Sequence, residues 1–365
     1  MKPLRIVHTE SSLGWGGQEI RILSESQGLL RRGHDVKLLC APQSRIRAEA
    51  VNWDVPAIAL PIDRKRPVGL GALHHWFTNN VSDIINTHSS TDSWLAALVQ
   101  VAIGRPTRIV RTRHISAPVP RGPLSRWLYM RAAAQVVTTG DALKRALVER
   151  NGFRANRIES VPTGIDAGRF RPGERMAMRA KFGLPLDRTL VGIVATLRSW
   201  KGHLVLLEAM TRLPDRIELV IVGDGPMREE LEKRLVQLGL RGRVRMQGQQ
   251  ADVLPWLRAL DIFALPSYAN EGVPQALVQA MLVELPCVTT AVGGIPEIAE
   301  HERTALVVPP KDAAALAAAI ERLAGNEGLR RELGEAARKH CVEGYSYERM
   351  LDRMETLYRS VSGIY

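Results

Sequence analysis

Residues 4–40 read LRIVHTESSLGWGGQEIRILSESQGLLRRGHDVKLLC, and this stretch decides the fold class. Leu4-Arg5-Ile6-Val7-His8 is an apolar run of strand length. Leu13-Gly14-Trp15-Gly16-Gly17 follows as a glycine loop, and from Gln18 to Arg32 the residues Ile20, Leu23 and Leu30 fall on one helical face. Gly33 stands where a helix C-cap favours a left-handed residue, and Asp35–Cys40 is a second strand. Strand, helix and strand in that order make the two strands parallel, because the helix carries the chain back to the starting edge.

The alternation continues outward. Strands are expected at Asp83–Thr87, Arg108–Arg111 and Gln135–Thr139, with a helix over Asp92–Ile103. Between Thr163 and Pro185 the pattern lapses into Gly164, Gly168, Pro172 and Gly173, the composition of a domain boundary. It restarts with strands at Leu190–Ala195, Ile217–Val222, Arg243–Gln247, Asp261–Leu265 and Pro286–Thr289. Helices are expected from His203 and over Met227–Leu238, Pro274–Leu282 and Ala313–Ala324. The expected architecture is α/β, with two doubly wound Rossmann-like domains facing across a cleft. They span residues 1–166 and 167–345, and a last helix near 346–365 is able to pack back on the first.

A chain of 365 residues suits two domains, and 45% hydrophobic with 24% charged residues excludes a disordered or fibrous protein. Three scattered cysteines, Cys40, Cys287 and Cys341, exclude a disulfide framework and a CxxC metal site; a reducing, cytoplasmic compartment is expected. No run approaches the roughly 18 apolar residues of a membrane span. The amino-terminal strand is too short and too soon charged for a signal peptide. The net charge is +12, and its placement is uneven: 23 Lys and Arg against 13 Asp and Glu up to Asp166, then 27 against 25. Such a bias points to an anionic partner for the first half, whether nucleic acid, a phosphorylated substrate or the inner membrane leaflet. No nucleic-acid recognition module accompanies it, so nucleic acid is not expected as a partner.

Ligands of open parallel sheets bind beyond the carboxyl ends of the strands, which sorts the candidate residues. Gly14, Gly16 and Gly17 follow the first strand, but Glu19 stands where a dinucleotide fingerprint needs its third glycine. His88 and His114 end two strands and are suited to donate a hydrogen bond or proton to a sugar hydroxyl or leaving phosphate. His8 and His34 read as strand and cap residues, and His74 and His75 carry no signal. Arg198 and Lys201, with Gly202 opening a helix, form an anion site for phosphate. In Glu271-Gly272-Val273-Pro274-Gln275 a carboxylate precedes a helix start, which suits a ligand with phosphates at one end and hydroxyls at the other. Seven arginines between Arg105 and Arg131 (105, 108, 111, 113, 121, 126 and 131) interleave with Trp127, Leu128 and Tyr129. This reads as a helix seated on an anionic bilayer, or as a solvated basic face with one buried stripe.

Taken in order, these motifs resemble the retaining glycosyltransferases of family 4, which have the GT-B fold, and the bacterial envelope polysaccharide or lipopolysaccharide type among them. The marks are Gly16-Gly17-Gln18-Glu19, Leu30-Arg31-Arg32-Gly33-His34-Asp35-Val36 and Val161-Pro162-Thr163-Gly164-Ile165-Asp166 in the first half. The second half adds Arg198 with Lys201-Gly202, Val222-Gly223-Asp224-Gly225-Pro226, the Glu271 segment and Gly293-Gly294-Ile295-Pro296-Glu297. The resemblance implies an acceptor-binding first domain and a nucleotide-sugar-binding second domain. Arg198 and Lys201 would neutralise the departing diphosphate, Glu271 would hold the donor sugar, and His114 would lie near the reacting sugar. Gly16, Gly17, Gly223, Gly225, Gly272, Val273, Pro274, Gln275 and Gln279 would line the donor, with His88, Arg111 and Arg113 on the acceptor side. Two positions depart from the family: the second Glu of its Glu-x7-Glu motif is Gln279 here, which accepts a hydrogen bond without a charge, and its Pro-Asn-Gly reads Pro162-Thr163-Gly164, a minor change.

The implied reaction moves a sugar from a nucleotide diphosphate sugar, a UDP-sugar first, to a lipid-linked or phosphorylated glycan with retention. No Asp-x-Asp cluster stands at a strand end, so neither metal nor cofactor is expected. An anionic membrane surface is the further partner the basic stretch implies, on the inner face. The alternatives are a non-catalytic nucleotide-sugar or glycan binder and a nucleotide-sugar epimerase of the same fold. A nicotinamide dehydrogenase is disfavoured by the failed fingerprint.

Overall fold

The computed structural model describes residues 2–104, 108–115 and 117–364. The chain divides into two compact units: one runs to Thr163 and resumes at Glu348, and the other is Gly164–Tyr347. The first unit is built on strands β1 (Arg5–Glu10), β2 (Asp35–Cys40), β3 (Ala57–Ala59), β4 (Ile84–Thr87), β5 (Ile109–Arg113), β6 (Ala133–Thr138) and β7 (Ile158–Ser160). They form one sheet in the order β3-β2-β1-β4-β5-β6-β7, and every pair is parallel. The second unit holds β8 (Thr189–Val194), β9 (Ile217–Val222), β10 (Val244–Met246), β11 (Ile262–Leu265), β12 (Cys287–Thr290) and β13 (Leu306–Val308), in the order β10-β9-β8-β11-β12-β13. These pairs are parallel too. Both orders reverse direction at a central strand pair, β1/β4 and β8/β11, as doubly wound sheets do.

Central strands announce themselves because both their faces are buried. Residues Ile217–Val222 are buried throughout, as are Ile84–Thr87. The strands that sequence reading passed over are β3, β7 and β13, each three residues long and each at a sheet edge. Three residues carry too little periodicity to be read, and edge strands are short because long ones invite pairing with other chains. The first helix, Gly17–Arg31, ends where Gly33 takes φ +86°. The helix Ser90–Ile103 opens on a reciprocal pair of caps between Ser89 and Asp92 and closes on Gly104.

The last helix, Tyr347–Ser362, joins the first unit from Glu348 onward. Its apolar residues Met350, Leu351, Met354 and Leu357 are buried, and its polar contacts are specific. Arg32, in the turn after the first helix, reaches Glu348 at 2.6 Å, Asp352 at 2.8 Å and Glu355 at 3.3 Å. Deeper in, the Tyr358 hydroxyl donates to Glu25 Oε1 at 2.6 Å and accepts from Asn86 Nδ2 at 2.6 Å. Glu25 also pairs with Arg21 at 2.9 Å, and neither side chain of that pair is exposed. Tyr358→Phe leaves a buried carboxylate short of one donor and a buried amide without its acceptor. A loss of about 2–4 kcal/mol is expected, read as a lowered denaturant midpoint with unchanged far-UV circular dichroism. A change under about 0.5 kcal/mol would show that the helix is held by its apolar face alone.

Candidate active site

In the second unit, three strand ends build one constellation. After β8 the chain passes Arg198 and makes a tight turn over Ser199–Lys201. Gly202 then takes φ +79°, and a Cβ there would lie 2.0 Å from the Pro266 carbonyl oxygen. Only glycine fits, and the close approach brings Lys201 to the segment after β11. There Lys201 Nζ lies 2.6 Å from Glu271 Oε1, and the Ser267 hydroxyl donates to the same oxygen at 2.6 Å. Glu271 is buried and Lys201 half-buried. The Tyr268 amide donates to the Trp200 carbonyl at 2.8 Å and ties the two loops together. Gly293, at φ +59°, would place a Cβ 2.1 Å from the Glu271 carbonyl oxygen, so the turn after β12 presses directly on Glu271.

The third strand end is that of β9. The Leu197 amide donates to the Asp224 carbonyl at 3.0 Å, and Asp224 Oδ1 accepts from the Gly225 amide at 2.7 Å. Gly223 and Gly225 are thereby laced to the loop that carries Arg198. Arg198 itself is exposed, its guanidinium 5.7 Å from the Trp200 ring centre. Gly272, Val273 and Pro274 lead into the helix Gln275–Leu282, on which Gln275 and Gln279 stand one turn apart and half-buried. His203, which sequence reading did not single out, is buried next to this turn. Burial, and then the Lys201 charge, hold its pKa down at about 4.

In the first unit the expected histidines meet, and a third joins them. His8 Nδ1 lies 2.9 Å from His88 Nε2, and His88 Nδ1 lies 2.9 Å from His114 Nε2. They come from the adjacent strands β1, β4 and β5, His88 and His114 standing just past the ends of theirs. In sequence His8 is an ordinary strand residue; its register beside β4 exists only once the sheet is formed. His88 is buried and touches these two rings, which removes it as a direct acceptor contact. Desolvation lowers all three pKa values, that of His114 to about 3, with Arg21 the next cause there. Nearby, Glu10 accepts from the Ser12 amide, Gln18 and Ser89, and burial followed by the Asp92 charge pushes its carboxyl up. Gly16 caps the first helix beside this cluster, and Gly17 begins that helix.

Arg111 and Arg113 are a correction. Arg111 is buried, donates to the Ser89 carbonyl and the Ser93 hydroxyl, and lies 4.7 Å from the Tyr129 ring centre. Arg113 donates to the Tyr129 hydroxyl at 3.2 Å and to the Ala117 carbonyl. Residues two apart on a strand share a face, and both arginines reach Tyr129 in the protein packed over that face, so these charges brace the sheet instead of facing a ligand. Leu128 and Tyr129 are likewise core residues, and Trp127 stacks on Trp94. Arg105 lies outside the described residues. What remains at the surface is an open pocket of about 780 Å³ lined by Pro123, Arg126, Trp127, Met130, Arg131, Arg154 and Arg157.

Comparison with known proteins meets this arrangement in both units. Residues 174–340 match the family described as Glycosyl transferases group 1, and residues 15–169 match Glycosyltransferase Family 4. The chain is a group 1 glycosyltransferase. The enzyme is 28% identical to a D-inositol 3-phosphate glycosyltransferase of Xylanimonas cellulosilytica, over 88% of this chain and 87% of that one. To the protein of the same name from Saccharomonospora viridis it is 27% identical, over 94% and 89%. Its fold matches a Rickettsia africae glycosyltransferase with a TM-score of 0.88 at 20% identity, covering all of both chains. Anabaena Alr3699/HepE in complex with UDP-glucose gives the same score and identity, over 98% of this chain and all of that one. These likenesses establish the GT-B fold. Among the described residues no helix is long and apolar enough to cross a membrane, and no group of three or more His, Cys, Asp or Glu is placed to hold a metal ion.

The buried histidines make stability depend on pH with a definite sign. Unfolded, each binds a proton near pH 6.5; folded, each resists it, His203 to about 4 and His114 to about 3. Between about pH 6.5 and 4 the unfolded state therefore holds more protons, and stability falls as pH falls by about 1.4 kcal/mol per pH unit per histidine. Glu10 and Asp92, both raised by burial, act in the opposite sense and offset roughly half. Denaturant midpoints should peak near pH 6.5, dropping steadily below it as the histidines resist protonation and declining above it up to about pH 8 as Glu10 ionises. A midpoint flat down to pH 5 would contradict these environments.

Proposed function

We propose that the enzyme transfers a sugar from a nucleoside diphosphate sugar, a UDP-sugar, with retention at the anomeric carbon. The observation that carries this reading is the Lys201–Glu271–Ser267 cluster, where a cation and a carboxylate are held side by side at two strand ends. Breaking a glycosyl–phosphate bond separates charge, positive on the ring and negative on the leaving diphosphate. Lys201 and Arg198 meet the negative end, together with backbone N–H groups at Val273 and the helix that follows. Lys201 and Ser267 both engage Oε1 of Glu271, which leaves Oε2 for the sugar hydroxyls. In this reading the diphosphate charge is met by the protein alone, without a metal ion. The UDP-glucose complex of the Anabaena neighbour supports the nucleotide, though the likeness there is one of fold.

The acceptor in this proposal is a phosphorylated or lipid-linked glycan or polyol, taken by the first unit. Two things support it. The relatives named above act on an inositol phosphate, and the arginine-lined pocket joins cations to Trp127 and Met130, a lining that suits an anionic group on an apolar or sugar body. Assembly of cell-envelope polysaccharide at the inner membrane face is the setting that fits such an acceptor. Gln279 favours a second reading, a nucleotide-sugar binder without turnover, and transfer to any acceptor eliminates it.

The test is incubation with UDP-sugars and a panel of inositol phosphate, phosphorylated sugar and lipid-linked glycan acceptors, with the product's anomeric configuration read by NMR. Lys201→Ala is expected to lower kcat by roughly two to three powers of ten while leaving the fold intact, and an unchanged kcat would remove Lys201 from the phosphate site. Gln279→Glu introduces a charged acceptor where a neutral amide stands. It should tighten UDP binding by about fivefold in calorimetry, and unchanged affinity would show that residue 279 does not meet the nucleotide.

A further inference from the structure

The three histidines of the first unit form a row of rings joined nitrogen to nitrogen, and such a row has a direction. His8 Nδ1 faces His88 Nε2, and His88 Nδ1 faces His114 Nε2. Each contact joins two ring nitrogens, so one must carry a proton and the other must not. With neutral rings only two arrangements satisfy both contacts. In the first, every ring is protonated on Nδ1, and the donors run from His8 towards His114. In the second, every ring is protonated on Nε2 and the donors run the other way. Burial lowers the pKa of each ring, which keeps all three neutral.

The blind end of the row decides between them. His8 Nε2 is buried and has no hydrogen-bond partner among the described residues. In the first arrangement that nitrogen is a bare lone pair; in the second it is an N–H with nothing to accept it. Orphaned buried N–H groups are the rarer and worse defect. At the other end His114 is half-buried, and its Nδ1 has no hydrogen-bond partner among the described residues.

We propose that His8, acting through His88, fixes the tautomer of His114 so that its Nδ1 carries the proton and is presented as a hydrogen-bond donor. His8 and His88 are then positioning residues: they touch no ligand, but they decide whether His114 donates or accepts. The use of that donor, towards a leaving diphosphate oxygen in the transfer step, rests on the reaction proposed above; the tautomer itself does not. A donor suits an oxygen that gains negative character in the transition state, whereas a bare nitrogen in the same place would repel it.

The experiment is long-range proton–nitrogen NMR on the full chain labelled with ¹⁵N-histidine, at pH 7.5, which distinguishes the two neutral tautomers by their shift patterns. Assignment comes from single substitutions. His114 in the unsubstituted protein should be protonated on Nδ1, and a proton on Nε2 would overturn the proposal without any variant. His8→Asn keeps a group at the Nδ1 position that is able to donate, and His114 should stay as it is. His8→Asp places an acceptor there, so His88 must donate towards residue 8 and the His114 proton should move to Nε2. In transfer assays His8→Asp should lower kcat by at least tenfold with UDP-sugar affinity unchanged, and His8→Asn should recover most of it. A His114 tautomer unmoved in a folded His8→Asp protein would show that the row transmits nothing. A moved tautomer with no measurable transfer in any form would count against the reaction and leave the tautomer relay standing.

Discussion

A carboxylate with no access to water constrains the first unit more than any apolar contact does. Glu25 sits on the first helix at zero exposure, and an unpaired buried charge costs several kcal/mol. Arg21 lies one helical turn away and supplies the counter-charge, but a carboxylate has more than one lone pair to satisfy. The rest comes from Tyr358, 333 residues further on, and Tyr358 in turn accepts from Asn86 on β4. Arg21 also donates to the Val161 carbonyl and to Thr163, so the chain's exit from the unit is tied to the same point. The last helix and the segment after β7 are thus both fastened to one buried ion pair, which explains why the carboxyl-terminal segment completes the first unit and not the second.

The Lys201–Glu271 constellation of the second unit depends on a different constraint, the close approach of backbones. Gly202 presses on Pro266 and Gly293 on Glu271, each where a Cβ would fall near 2 Å from a carbonyl oxygen. A methyl group at either point would push two loops apart by more than the tolerance of an ion pair 2.6 Å long. The glycines of this unit are therefore functional through distance. They contribute no chemistry, but without them Lys201 and Glu271 would not share a site.

Charge distribution has a similar lesson. The first half of the chain carries nearly all of the net positive charge, yet much of it never faces a ligand. Arg21 neutralises Glu25, Arg111 and Arg113 brace the sheet, and Arg5 and Arg108 pair with Asp83. Arg32 fastens the last helix. Arg126, Arg131, Arg154 and Arg157, gathered with Trp127 and Met130, line one open pocket at the surface.

The alternation of buried strands and amphipathic helices was legible in the sequence, because burial on both faces forces continuous apolar runs such as Ile217–Val222. So were the glycine turns at strand ends and the charged residues Lys201 and Glu271 that follow two of them, since ligands of a parallel sheet bind beyond its strand ends. Contacts across the sheet were not legible. A row from His8 to His88 to His114 needs three strands in register, and Arg111 reads the same in sequence whether it turns outward or inward. Sequence by itself determined two parallel-sheet units and the residue types at their strand ends, because those follow from local periodicity and backbone freedom. Only the tertiary structure decided which charges are used up internally, which helix completes which unit and which histidines touch, because those depend on distances between residues far apart in the chain.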